Sequence, residues 1–207
     1  MTPSPLPGIG APSCRRSFAE PSSNFQEADP LELKVNGVTR AISSSPLTSL
    51  LEVLREELNI LSPKVGCQQG ACGTCTVLVD GEPRRSCLLP VASVDTAEVT
   101  TVEGLGAPGD LSPVQAAFHN RYAAQCGYCT SGMIMAAHAL IERNDGALER
   151  DQVIEALSGH VCRCTGYVKI IDAVTAASRG EVDVAELDEM LPAEPSEPEI
   201  EIKGSPA

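Results

Sequence analysis

From Leu31 the chain alternates apolar and polar positions. Leu31, Leu33 and Val35 fall on one side and Glu32 and Lys34 on the other, the period of a half-buried strand. Asn36 and Gly37 follow, the strongest short hairpin signal, so the segment from Val38 to Ile42 is predicted to return antiparallel. The period then lengthens. Leu47, Leu50, Leu51, Leu54 and Leu58 recur at helical spacing, and Ser45 as N-cap with Pro46 at the first helical position predicts a helix ending near Asn59 whose leucines pack on the sheet. Residues 76–79 (TVLV) read as another strand running into a turn at Asp80 and Gly81, with Cys87 on the return strand, and a last strand is expected from Glu98 to Val102.

Beyond this point the apolar period is helical throughout. Ser112 and Pro113 open a helix carrying Val114, Ala117, Phe118 and Tyr122; Met133 to Ile141 is strongly apolar; a third helix is predicted over about Ala147 to Leu157 and a fourth over about Val168 to Ala177, stopped by Gly180. The stretch between the two patterns holds a literal G-x-G-x-x-G at Gly104, Gly106 and Gly109. A dinucleotide fingerprint needs a helix to open inside that motif, and Pro108 with Pro113 prevents it, so the stretch reads as a linker.

Composition adds the flanks. Six of the sixteen prolines fall at or before Pro30, with Ser and Gly and no apolar period, which predicts a flexible leader over 1–29. Residues 181–207 hold nine acids against Lys203 as the one base, so −8 of the net charge of −13 sits in a tail predicted to be disordered. The acidic balance and the near absence of aromatic residues argue against nucleic acid as a partner. No apolar run reaches the roughly 20 residues a membrane-spanning helix needs. Arg15 and Arg16 have no hydrophobic segment after them to make an export signal, so the expected location is cytoplasmic.

Nine cysteines in such a chain read as metal ligands in a reducing compartment rather than as disulfides. Cys67, Cys72, Cys75 and Cys87 are spaced C-x4-C-x2-C-x11-C, and the first three with Gly66, Gly70 and Gly73 form the kind of loop in which plant-type ferredoxins hold a [2Fe-2S] cluster. The glycines let successive N–H groups face the sulfurs and offset the charge of the anionic core. Cys126 and Cys129 lie at the start of the second helix of the later region, and Cys162 and Cys164 between its third and fourth, so bringing these two turns together makes a second four-thiolate site. Only Cys14, in the leader, is left over as a free thiol. The fold expected is α+β: an N-terminal β-grasp, plant-type ferredoxin-like domain over 30–103, a linker over 104–111, and an all-α four-helix-bundle [2Fe-2S] domain over 112–180.

Three stretches carry a wider resemblance: 66–77 (GCQQGACGTCTV), 125–133 (QCGYCTSGM) and 162–167 (CRCTGY). Over about residues 31–178 the chain resembles the small iron–sulfur subunit of the xanthine oxidase, or molybdenum hydroxylase, family. That resemblance implies an electron-transfer role in a larger oxidoreductase. A large subunit carries a molybdenum-pterin centre, where a substrate C–H is hydroxylated with oxygen from water. Single electrons then pass to the cluster of Cys126, Cys129, Cys162 and Cys164, next to that of Cys67, Cys72, Cys75 and Cys87, and on to an FAD-binding medium subunit. Gln125 matches the family glutamine that contacts the pterin. The chain departs from the family at Ser131, where proline is usual and where a serine could cap the following helix, and at His160-Val161, where Asn-Leu or similar is usual; neither changes a ligand.

Two other readings stand beside this one. A free-standing two-cluster carrier would have no need of the helical domain, and a structural protein with two four-cysteine zinc sites fits the glycine-rich loop and the C-x-C pair poorly. The thiolate count leaves His119, His138 and His160 as ordinary helix or turn residues. Lys64, Arg84 and Arg85 read as surface charges, or as marks of a docking face, and Arg163 as a charge facing the cluster or a partner. No catalytic arrangement emerges, so this chain by itself is expected to turn over no substrate.

Overall fold

The computed structural model describes residues 31–144 and 146–182. The predicted leader and nearly all of the predicted tail lie outside the described residues. Strands β1 (Leu31–Val35) and β2 (Val38–Ile42) pair antiparallel through the turn at Asn36 and Gly37, whose φ values of 50° and 78° are the left-handed pair such a turn demands. Strands β3 (Thr76–Val79) and β4 (Glu82–Arg85) repeat the device at Asp80 and Gly81. Strand β5 (Glu98–Thr100) runs between the hairpins, parallel to β1 and antiparallel to β3, and the five-stranded mixed sheet has the order β2-β1-β5-β3-β4.

One helical segment covers this sheet. It starts as α1 (Leu50–Glu52) and continues as a π-helical turn over Val53–Glu57, closed by the Leu58 N–H on the Val53 carbonyl at 3.0 Å. The cap is Ser49, not Ser45, because residues 43–48 are held apart from the helix: the Glu57 carboxylate gathers the hydroxyls of Ser43 at 2.8 Å and Ser44 at 2.6 Å. Leu47 therefore leaves the leucine stripe and is 82% exposed, while Leu50 and Leu54 are fully buried with Leu33, Val35, Val77, Val91 and Val99. Cys87 lies in a 3-10 turn over Ser86–Leu88 rather than on the return strand, and the last strand stops at Thr100.

The second region contains α2 (Pro113–Asn120), α3 (Thr130–Glu142), α4 (Arg150–Leu157) and α5 (Val168–Ser178) around a shared core of Val114, Phe118, Met133, Leu157, Ile170 and Val174. Ser112 caps α2 in a full capping box with Gln115, as its Ser-Pro start predicts. Glu149 and Gln152 form a capping box on α4, which therefore begins later than Ala147. Helix α3 is apolar on nearly every face because it is buried on two sides, by its neighbouring helices and by the ferredoxin-like sheet, where Met135 and Ala139 meet Leu78 of β3. The fold is thus α+β, a ferredoxin-like domain followed by a helical domain. Among the described residues no helix is long and apolar enough to cross a membrane.

Candidate metal centres

The loop from Gly66 to Cys75 curls because Gln68, Gly70 and Gly73 take left-handed backbone angles of 54°, 78° and 79°. A Cβ at Gly70 would stand 2.5 Å from Leu88 Cδ1, and one at Gly66 2.6 Å from Cys72 Sγ. The curl turns N–H groups inward, and those of Ala71 and Cys72 donate to Cys67 Sγ at 3.2 and 3.3 Å. The Gln69 N–H, with those of Cys72 and Ala71, holds the Cys67 thiol down to about 6. That favours the thiolate, the form in which sulfur binds metal. Cys75 is buried at the mouth of β3, and its carbonyl accepts from the Ser86 N–H at 3.3 Å and the Ser86 hydroxyl at 2.7 Å. This brings Cys87 to Cys75; burial first, and then that neighbouring thiol, pushes Cys87 up to about 11.

The second group is assembled from two turns. Cys126 and Cys129 lie between α2 and α3, and Cys162 and Cys164 between α4 and α5. Cys126 Sγ and Cys164 Sγ are 3.6 Å apart and exposed, whereas Cys129 is buried against Cys162. Burial and then the Cys162 thiol push Cys129 up to about 12. At Cys162 burial acts upward too, but the Thr165 hydroxyl at 3.1 Å and the Thr165 N–H outweigh it and lower the thiol. The Cys126 thiol raises Cys164. Tyr167, at φ 69°, pins the turn: its hydroxyl accepts from the Cys162 N–H at 2.8 Å and donates to the His160 carbonyl at 3.0 Å.

All eight cysteines singled out in the sequence are therefore brought into two groups, and within each they meet in pairs: Cys67 with Cys72, Cys75 with Cys87, Cys126 with Cys164, Cys129 with Cys162. Paired sulfurs fit a two-iron core, in which each iron takes two thiolates and shares two sulfides, and the inward N–H groups and missing Cβ atoms of the first loop fit its anionic charge. Gln125 stands exposed beside Cys126, after Tyr122, which is 82% exposed.

The two loops touch. The Val161 N–H donates to the Cys72 carbonyl at 2.9 Å, the Tyr128 hydroxyl to the Val65 carbonyl at 2.6 Å, and the Ser131 hydroxyl to the Ser62 carbonyl at 2.6 Å. Ser131 thus ties the loops together and does not cap α3, whose N-cap is Cys129. A Cβ on Gly132 would overlap the Gly73 carbonyl oxygen, and one on Gly73 the His160 ring. His160 is 4% exposed, and Arg85 reaches it from β4. Burial and then the Arg85 charge push the His160 imidazole down to about 4. Sequence reasoning missed Arg85, His160, Tyr128 and Tyr167 as parts of this junction. Their partners are up to 84 residues away in the chain, and only the place of His160 two residues before Cys162 hinted at a role.

Comparison with known proteins defines the class and then the family. Residues 33–101 match the 2Fe-2S iron-sulfur cluster binding domain and residues 101–175 the [2Fe-2S] binding domain, so this is a protein of two [2Fe-2S] clusters. The chain is 42% identical over 147 residues to the beta subunit of the 6-hydroxypseudooxynicotine dehydrogenase complex of Paenarthrobacter nicotinovorans, covering 71% of this chain and 92% of that one. It is also 42% identical over 170 residues to the iron-sulfur-binding subunit PaoA of an aldehyde oxidoreductase of Escherichia coli K12, covering 75% and 74%. A chain of the quinoline 2-oxidoreductase crystal structure from Pseudomonas putida 86 superposes with a TM-score of 0.68 at 42% identity, over 74% of this chain and 98% of that one. The chain belongs to the small [2Fe-2S] iron–sulfur subunits of the xanthine oxidase, or molybdenum hydroxylase, family, and is a subunit of an oxidoreductase.

Proposed function

We propose that this chain is the electron relay of a three-subunit molybdenum hydroxylase, between a large molybdenum-pterin subunit and an FAD-binding medium subunit, during hydroxylation of a substrate with oxygen from water. When bound, each [2Fe-2S] cluster takes up and gives up one electron at a time. Cys67 and Cys72 would hold one iron of the first cluster and Cys75 and Cys87 the other; Cys126 with Cys164 and Cys129 with Cys162 would divide the second in the same way. The units are the ferredoxin-like domain, of β-grasp type, over 30–103, a linker over 104–111, and a four-helix bundle over 112–180. The compartment is the cytoplasm.

The observation that carries this reading is the backbone contact between the two loops. The Cys72 carbonyl accepts from Val161, the residue next to Cys162, so a ligand of one cluster is joined to a ligand of the other by a single hydrogen bond and short runs of covalent structure. A structural metal protein has no need of that junction. The exposed face of Cys126, Cys164 and Gln125 is the end that meets the molybdenum subunit, with Gln125 on the pterin. The names of the relatives give 6-hydroxypseudooxynicotine, an aldehyde and quinoline, and the choice among such substrates belongs to the large subunit.

Purification of the tagged chain from its own host tests the reading. Recovery of molybdenum, pterin and FAD in fixed ratio to this chain is expected, and a chain that emerges alone with both clusters is instead a free-standing carrier. In the assembled enzyme, Gln125→Leu is expected to keep all iron while slowing cluster reduction by substrate; unchanged reduction would remove Gln125 from the pterin contact.

A further inference from the structure

Arg85 stands at the end of β4, and its guanidinium reaches three acceptors on two domains. Nη1 donates to Thr76 Oγ1 at 2.5 Å and lies 3.2 Å from His160 Nε2, and Nη2 donates to the Gly159 carbonyl at 2.8 Å. Thr76 belongs to β3, one residue after the ligand Cys75, whereas Gly159 and His160 lead into Cys162. A guanidinium only donates, so His160 Nε2 must offer its lone pair, and the neutral ring carries its proton on Nδ1. The Thr76 hydroxyl lies 2.7 Å from the Gly73 carbonyl and 3.0 Å from His160 Nε2, two acceptors that share its one proton. Gly73 is the residue between Cys72 and Thr74 in the first loop, and the His160 ring occupies the space its Cβ would take.

One side chain therefore fixes the first loop, through Thr76 and Gly73, and the second, through Gly159 and His160. The His160 Nδ1 atom is buried with no hydrogen-bond partner. An unpaired buried donor is unfavourable, so the ring is placed there by what its other nitrogen and its shape do for the junction. We propose that Arg85 is a positioning residue, a latch with His160 and Thr76 that sets the separation and orientation of the two cluster-bearing loops, and with them the coupling between the clusters. This rests on the two-cluster reading above.

The test is the low-temperature EPR spectrum of the fully reduced protein, in which two nearby clusters split one another's signals. The wild type is expected to show two signals with mutual splitting; a single signal sinks the two-cluster reading, and the latch falls with it, whereas two signals without splitting leave the two clusters standing and overturn the coupling that the latch is said to set. In Arg85→Met both signals and about four irons are expected to remain while the splitting is lost or altered, with partial restoration in Arg85→Lys, which supplies a point charge in place of a fork. Unchanged splitting in an iron-replete Arg85→Met overturns the latch and leaves the two clusters standing. Should Arg85→Met lose iron, His160 decides. His160→Gln keeps an acceptor toward Arg85 and is expected to preserve the splitting, His160→Leu to change it, and identical spectra from these two overturn the proposal.

Discussion

In the ferredoxin-like domain three of four thiols lie in one loop, residues 67–75, and the fourth is brought in by a single turn after the next hairpin. In the helical domain the four come from two turns separated by the whole of α3 and α4. The first arrangement is local. Its backbone N–H groups already favour the thiolate at Cys67, at about 6. The second is made by packing, and its buried thiol Cys129 sits near 12. Each group holds one thiol that burial raises, Cys87 and Cys129, but only in the second must two turns between helices meet before the four thiols do, so cluster binding and correct helix packing are coupled there more tightly than in the first loop. A two-cluster protein thus combines a site that a short loop can form with one that only a finished domain can form.

Ligand removal probes that contrast most strongly. Cys126→Ser should halve the iron, from about four to about two per chain, and also lower the melting temperature of the helical domain. Cys72→Ser should halve the iron while leaving the helical domain's melting close to wild type. Iron analysis with calorimetry reads both, and equal thermal consequences would break the comparison. The junction comes next. Gly132→Ala puts a Cβ onto the Gly73 carbonyl, and overpacking of this kind costs about 1–3 kcal/mol, more than the ~1 kcal/mol an alanine gains over glycine inside a helix. Denaturant unfolding of the holoprotein should show a net loss.

A smaller effect is expected at Glu103. Partial burial would raise its carboxyl, but the Ser62 hydroxyl and the Thr101 hydroxyl, at 2.6 Å from the carboxylate, hold it below the usual range. A carboxyl lowered in the folded state contributes stability that is complete above its unfolded value of about 4.3 and is lost as pH falls through the lower folded one. Glu103→Gln should remove up to about 1 kcal/mol at neutral pH and flatten the acid limb of a stability-against-pH curve; an unchanged acid limb would assign it to other carboxylates. Leu47→Ala should move stability by less than about 0.5 kcal/mol, because the residue is exposed. A loss of several times that would return Leu47 to the leucine stripe.

The same contrast explains what was legible in the sequence. Hairpins at Asn36-Gly37 and Asp80-Gly81, the capped start of α2 and the cysteine spacing are local signals, and the structure follows them. The first helix started later than its Ser-Pro signal because the Glu57 carboxylate captures Ser43 and Ser44 from across the turn, a contact no short window contains. Arg85 carries no periodic or spacing signature, and His160 only its place two residues before Cys162. Their meaning comes from Gly73 and Thr76 lying against Gly159, which only the packing of α3 on β3 brings about. Helical spacing identified α2 to α5 and predicted that the turns bearing the later cysteines meet, whereas which thiol faces which, Cys126 with Cys164 and Cys129 with Cys162, is decided by packing.

The central claim is that each group of four thiols holds two irons. Iron, acid-labile sulfide and zinc per chain, on protein produced where clusters can be assembled and purified without oxygen, test it directly. About four irons and four sulfides with negligible zinc is the predicted result. About two zincs with no iron or sulfide would contradict it, place the chain among structural metal proteins, and remove the relay.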